Sequence, residues 1–245
     1  DWRLWDEAQS RCLPTPGDES KVRQTKGTRE DAEKHLTELL DKMLALLNDL
    51  HPETALSVEF FLDLDHLLTE PVDHWRVRGS LVGATYPVAA RWRGRQNHKP
   101  LRERLNNKLR RDPARLNCPT VRWLPDDKLK KTAQLAPHFE NASDCFPLVG
   151  FASPPLRGTT EFEMLQTALE CGVPFAFWPR KTVEHFKPTM NAAAERCELD
   201  RFPVRVRELR EEALGETNHP AAELTLLWDD PRRNPYASGG FKSVE

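Results

Sequence analysis

The stretch from Phe146 to Trp178 constrains the fold more than any other part of the chain. Phe146-Pro-Leu-Val-Gly-Phe-Ala152 is a short apolar run between turn residues, the composition of a strand covered on both faces. Thr159 or Thr160 can then cap a helix carrying Phe162, Leu165 and Leu169. Gly172 supplies the left-handed residue that ends this helix, and Val173-Pro-Phe-Ala-Phe-Trp178 returns as a second strand. Two strands joined by one crossover helix pair in parallel as a rule, with a right-handed connection, and few topologies satisfy both conditions.

The same alternation extends outward. Ala32, Leu36, Leu39, Leu40, Met43, Leu44 and Leu47 recur at helical steps, with Thr28 as N-cap and Pro52 closing the run. The period then falls to two, placing Leu56, Val58, Phe60 and Leu62 on one face of a strand, after which Asp63 or Asp65 caps a short helical turn. Tyr86-Pro-Val-Ala-Ala90 reads as a strand ending at Arg91, and a helix opens at Pro100 with Leu101, Leu105 and Leu109 on one side. Thr120–Leu124 is a third strand, followed by a helix capped by Asp126 or Asp127. Helices are expected around Ala192–Leu199 and Pro203–Leu214, and the last strand is Leu224–Trp228. The resulting fold class is α/β, a mainly parallel sheet with helices on both faces in a Rossmann-like three-layer arrangement.

Residues 1–27, with Pro14, Pro16, Gly17 and Gly27 among charged residues, read as a linker or the end of a preceding domain, with one short helix near Trp2 and Trp5. Residues 28–245 then form a single domain. The opening Asp1-Trp2 is what a segment cut from a longer polypeptide looks like, so the chain is expected to be the C-terminal part of a multidomain protein.

With 30% charged residues, 38% hydrophobic residues and a net charge of −2, no global bias points to nucleic acid or membrane. No apolar run reaches the length of a membrane span and no signal sequence opens the chain, so the cytoplasm is the expected location. Five cysteines, at 12, 118, 145, 171 and 197, form neither a disulfide framework nor a metal pair, and are expected to be reduced.

In open α/β sheets, ligands bind outside the carboxyl ends of strands. The residues there are Asp63, Asp65, Arg91, Ser153, Arg180, Asp229 and Asp230. Paired acids with arginines can hold Mg²⁺ and a phosphate, but aspartate after a strand is also an ordinary cap or turn former. No phosphate-binding glycine loop is present, and Arg157-Gly-Thr-Thr160 has one glycine before its helix. Cys145, Cys171 and His185 lie near the βαβ unit, where small cysteines serve as mild hydrophobes. His66, His74 and His219 lack metal-ligand spacing, and no GxSxG elbow occurs. No catalytic residue, metal or cofactor is therefore assigned.

The most uneven charge runs from Arg91 to Arg115, where ten Lys or Arg face two acids. Arg95, Arg102, Arg104, Lys108 and Arg111 form a candidate basic surface for an acidic partner, with nucleic acid a less favoured occupant and a plain solvated face the simplest reading.

Taken in order, Val58-Glu-Phe-Phe-Leu62, Leu67-Leu68, Pro71-Val-Asp-His-Trp75, Tyr86-Pro-Val88 with Arg91, Gly172-Val-Pro174 and Leu226-Leu-Trp-Asp-Asp-Pro231 resemble the C-terminal domain of the vWA-MoxR-associated proteins, over roughly residues 30 to 235. The resemblance implies a regulatory, sensing or adaptor role in bacterial conflict or antiviral defence systems. Catalysis is then expected in an upstream effector domain, and a MoxR-type AAA ATPase and a vWA protein as partners. It brings no catalytic residue set. Asp63 and Asp65 depart from the proline-containing loop expected there, and Ala89-Ala90 from bulkier aliphatics. On this reading Trp75, Tyr86, Arg91, Asp229 and Asp230 frame a crevice or partner surface. The competing classes are a nucleotide- or metal-dependent enzyme or switch using the strand-end acids, and nucleic-acid binding through residues 91–115.

Overall fold

Thr28 begins the first helix as its sequence suggests. Its Oγ1 accepts from the Asp31 backbone N–H at 3.2 Å, and Asp31 Oδ2 accepts from the Thr28 N–H at 2.9 Å, a reciprocal cap that satisfies two donors at once. The computed structural model describes residues 2–6, 11–12, 28–50, 56–111, 121–125, 136–137, 139, 148–216 and 218–230. Its strands are β1 (Trp2–Asp6), β2 (Arg11–Cys12), β3 (Leu56–Leu62), β4 (Arg76–Val77), β5 (Ser80–Leu81), β6 (Val88–Trp92), β7 (Val121–Leu124), β8 (Leu148–Phe151), β9 (Phe175–Pro179) and β10 (Leu224–Trp228). Its α-helices are α1 (Arg29–Leu50), α2 (Leu64–Thr69), α3 (Val82–Thr85), α4 (Arg93–Asn97), α5 (Lys99–Arg111), α6 (Thr160–Glu170), α7 (Phe186–Glu195) and α8 (Phe202–Glu212).

Eight strands form one sheet in the order β2-β1-β3-β6-β10-β9-β8-β7, and β4 and β5 form a separate hairpin. β3, β6 and β10 run parallel to one another, as do β7, β8 and β9. The two groups meet at β10 and β9, which pair antiparallel over five positions from Leu224↔Pro179 to Trp228↔Phe175. The six strands from β3 across to β7 are therefore mainly parallel, as expected, with one reversal in the middle. That reversal separates the strand ends the sequence had gathered on one rim. Asp63, Arg91, Asp229 and Asp230 belong to the carboxyl ends of β3, β6 and β10, whereas Ser153 and Arg180 follow β8 and β9, which run the other way.

Helices cover both faces. Leu165, Ala168 and Leu169 of α6 and Leu67 of α2 pack on Ala90, Val149, Phe151, Trp178 and Leu227, and Leu36 and Leu40 of α1 extend this layer over Val58 and Phe60. On the opposite face Phe186 and Met190 of α7 and Phe202 and Val206 of α8 meet Phe175, Phe177, Leu226 and Trp228. There the Phe175 and Trp228 rings stack 4.0 Å apart across the antiparallel seam.

Several expectations need correction. The region near Trp2 and Trp5, read as a linker with a short helix, forms β1, which pairs antiparallel with β3 from Trp2↔Phe60 to Asp6↔Leu56. The backbone bonds along β3 give this run a partner that local composition does not reveal. β3 is buried on both faces rather than one, because Glu59 on its second face is neutralised internally. The helix placed at 192–199 spans Phe186–Glu195 instead: Pro188 lies within its first turn, where a missing N–H costs nothing. The proposed helix after Asp126 or Asp127 and the stop at Pro52 lie outside the described residues.

α6 ends as expected. Gly172 adopts a φ of 82°, Val173 N–H donates to Ala168 O at 2.9 Å and Gly172 N–H to Leu169 O at 3.1 Å, the paired bonds of a left-handed helix cap. A Cβ on Gly172 would also stand 2.9 Å from the Arg104 carbonyl carbon in α5. Gly172→Ala is expected to lower unfolding stability by about 2 kcal/mol or more, combining conformational strain with backbone overlap. Gly79, at φ 83° with nothing within 4 Å of an added Cβ, should lose only the conformational part. Denaturant midpoints of the two alanine variants measure the difference.

Candidate functional site

Two clusters of buried charge lie at opposite ends of β10, and each centres on an aspartate between arginines. The first gathers Arg91, Asp229 and Asp230, three of the seven residues singled out at the strand ends. Glu59 stands opposite Ala89 in the β3–β6 register, so Arg91, two residues on, projects from the same face. Arg91 Nη2 donates to Glu59 Oε1 at 2.9 Å and Nη1 to the Asp230 carbonyl at 3.0 Å, while Nε stands 2.6 Å from Glu59 Oε2 as a close ion pair. Asp229 Oδ1 stands 4.0 Å from Arg91 Nη1, and its Oδ2 accepts from Arg95 Nη1 at 2.8 Å. Arg95 goes on to donate to the carbonyls of Leu169 at 2.9 Å and Val173 at 2.6 Å, where α6 ends. The Asp229 N–H closes the ring onto Pro174 O at 2.8 Å.

These groups are interior. Arg91, Arg95, Asp229 and Asp230 are 3%, 2%, 4% and 2% exposed, so the structure places them inside the fold rather than on an open crevice or a partner surface. Burial works against the Arg91 charge, but Glu59 foremost, then Asp229 and Asp230, overcome it and raise its pKa. Arg95 has Asp229 as its charge partner, and burial prevails, lowering its pKa below that of an ordinary arginine.

Trp75 and Tyr86 do not join this group. Both pack at the edge of the core under α1, Trp75 edge-on to Phe60 at 5.1 Å with its Nε1–H donating to Glu70 Oε1 at 2.7 Å. The basic surface divides as well. Arg95 is interior, Arg102 is half-buried, and Arg104 is exposed and donates to Glu170 O at 3.2 Å. Lys108 and Arg111 lie on the same helix, but their side chains fall outside the described set.

The second cluster was not anticipated. Asp73, 3% exposed, receives Arg180 Nη1 at 2.6 Å and Nη2 at 3.3 Å, with Arg210 Nε 3.3 Å from its Oδ2. Both arginines also hold backbone: Arg180 donates to Leu224 O and Ala222 O at 3.2 and 2.7 Å, and Arg210 to Val88 O and Leu224 O at 3.3 and 2.9 Å. Gly83 permits the approach, since a Cβ there would meet Asp73 Cβ at 2.6 Å. Burial alone would raise the Asp73 pKa, but the charges of Arg210 and Arg180 outweigh it and hold the carboxyl below its usual range. The sequence signal was present in Pro71-Val-Asp-His-Trp75, an acid among apolar residues, but its partners lie more than a hundred residues away.

Other candidates resolve into local structure. Asp63 caps α2, accepting from the His66 N–H at 3.1 Å, and Asp65 pairs with Arg157. Thr159 caps α6 by accepting from the Phe162 N–H at 3.3 Å. Cys171 is buried at the end of α6, and Cys145 lies outside the described residues. Among the described residues no three or more His, Cys, Asp or Glu side chains are grouped to hold a metal ion, and no helix is long and apolar enough to cross a membrane.

Layered helices over this sheet, with the charged strand ends turned inward, define a three-layer α/β domain. Residues 1–231 match the family described as vWA-MoxR associated protein C-terminal domain, and the chain belongs to that family. The match takes in the opening residues that form β1, as well as the series of short motifs from Val58 to Pro231. No curated protein and no solved structure matches the chain.

Removing one member of a buried pair leaves an uncompensated charge, whereas removing both leaves an apolar gap, and the first costs more. Asp229→Leu is expected to destabilise the domain by about 3–5 kcal/mol, and adding Arg95→Met to recover only part of that loss, because the Leu169 and Val173 carbonyls then lose their donor. A double-mutant cycle on unfolding free energies measures it. For Asp73 the folded pKa is depressed, so its contribution is complete above the unfolded value of about 3.9 and is lost as pH falls through the folded pKa. The stability gap between wild type and Asp73→Asn should narrow with acidification below about pH 4, followed by chemical unfolding at a series of pH values.

Proposed function

We propose that this domain is a non-catalytic sensor or adaptor in a bacterial conflict or antiviral defence protein, coupling recognition of a partner or invader to an effector domain elsewhere in the same polypeptide. The observation that carries the reading is membership of a family whose name ties it to vWA and MoxR proteins. The partners are then a MoxR-type AAA ATPase and a vWA protein, met in the cytoplasm. The geometry supports this over a metal- or nucleotide-dependent switch. Asp229 and Glu59 are engaged by Arg95 and Arg91, and a ligand at those acids would have to displace buried ion pairs. Arg91, Asp229 and Asp230 serve recognition from inside, by holding the strand ends whose loops face a partner.

The docking surface proposed is the exposed basic side of α5, where Lys99 and Arg104 lie on adjoining faces, Lys99 beside Glu103, and Lys108 and Arg111 follow on the same helix. An acidic patch on the ATPase or the vWA protein is the complementary chemistry. Lys99→Glu with Arg104→Glu should keep the fold and weaken binding to the vWA or MoxR partner by about tenfold or more, close to 1.4 kcal/mol, with a reduced salt dependence. Titration calorimetry at low and high salt reads both. Binding unchanged at every salt concentration removes α5 from the interface, and failure of both proteins to bind the wild-type domain removes the adaptor reading.

A further inference from the structure

A small cavity lies between α2, the turn at Val72–His74, and strands β6 and β10, with room for about one water molecule. Leu67 and Ala90 are among its apolar walls, and Glu70, Asp73, Arg210 and Thr225 are its polar ones. Arg210 is 6% exposed, and its two terminal nitrogens are spent on the carbonyls of Val88 and Leu224. Its Nε is different. Asp73 Oδ2 lies 3.3 Å away, close enough for charge attraction, yet Nε makes no hydrogen bond. A buried donor left in that state has given up its hydration without a replacement bond, which is costly enough that a partner is expected.

We propose that this cavity is a binding site for a single water molecule, which accepts from Arg210 Nε–H and donates to a carboxylate of Asp73 or Glu70. The walls select the occupant. Two carboxylates repel an anion, the Arg210 guanidinium repels a cation, and an apolar guest leaves Nε unsatisfied. Water both accepts and donates, and the cavity offers it the two to four polar partners that buried waters use. One oxygen of Glu70 already receives the Trp75 indole N–H, so the bound water joins α2 and the loop at Trp75 to α8 and the end of the seam.

A high-resolution crystal structure of the 245-residue chain tests the site directly. A density peak within hydrogen-bonding distance of Arg210 Nε is expected, and a cavity without density overturns the proposal. Ala90→Val gives an independent test by sign, since it adds two methyl groups at the wall of the cavity. With water in place, filling expels it and strips Nε, so the melting temperature falls by several degrees and the variant structure lacks the peak. A dry cavity would instead gain contacts, and an unchanged or raised melting temperature overturns the site.

Discussion

The antiparallel pairing of β9 with β10 is the constraint on which the rest of the structure depends. Either side of it is a parallel group of the kind that βαβ connections build, and among the described residues the two groups pair strand to strand only at this seam. Backbone bonds and the Phe175–Trp228 stack hold its length. Its two ends are held by charge. Asp73 draws Arg180 and Arg210 onto the carbonyls at one end, and Asp229 draws Arg95 onto the carbonyls that close α6 at the other. Each arginine thus acts on the backbone as much as on its acid, which explains why such expensive groups are kept in the interior: they supply donors to carbonyls at the points where helices and strands change direction.

Much of this architecture was legible in the sequence, because it rests on local chemistry. The caps at Thr28 and Thr159 and the left-handed Gly172 each follow from a residue and its near neighbours, and the short apolar runs of β7 to β10 stand out between turn formers. The family resemblance rested on the same short motifs and extends across the matched chain. What sequence did not convey was direction. Whether β10 enters beside β9 pointing with it or against it depends on how α7 and α8 return the chain over one face, and no residue near position 224 encodes that choice.

The candidate site was half legible for the same reason. Arg91, Asp229 and Asp230 were recognised as belonging together, and they do meet, but as interior ties. Arg95 was counted with a basic surface because its neighbours are basic, while the acid that claims it is 134 residues away. Glu59 was hidden by the alternation that made β3 readable, since a strand with one apolar face implies a wet second face unless a partner strand brings a counter-charge. Asp73 lay in a quoted motif without its arginines. Local patterns report on the element that carries them, and buried ion pairs are agreements between elements.

One consequence of the seam concerns the order in which the molecule can be completed. β10 is flanked on both sides, by β6 and by β9, yet among the described residues it is the last strand in sequence. Until residues 224–228 leave the ribosome, the earlier strands can assemble only into two separate half-sheets, each with an open hydrogen-bonding edge where β10 belongs. A polypeptide broken off before that point would not be a slightly shortened domain. It would be two adhesive fragments, and the final insertion of Leu224–Trp228 is the event that turns them into one closed body.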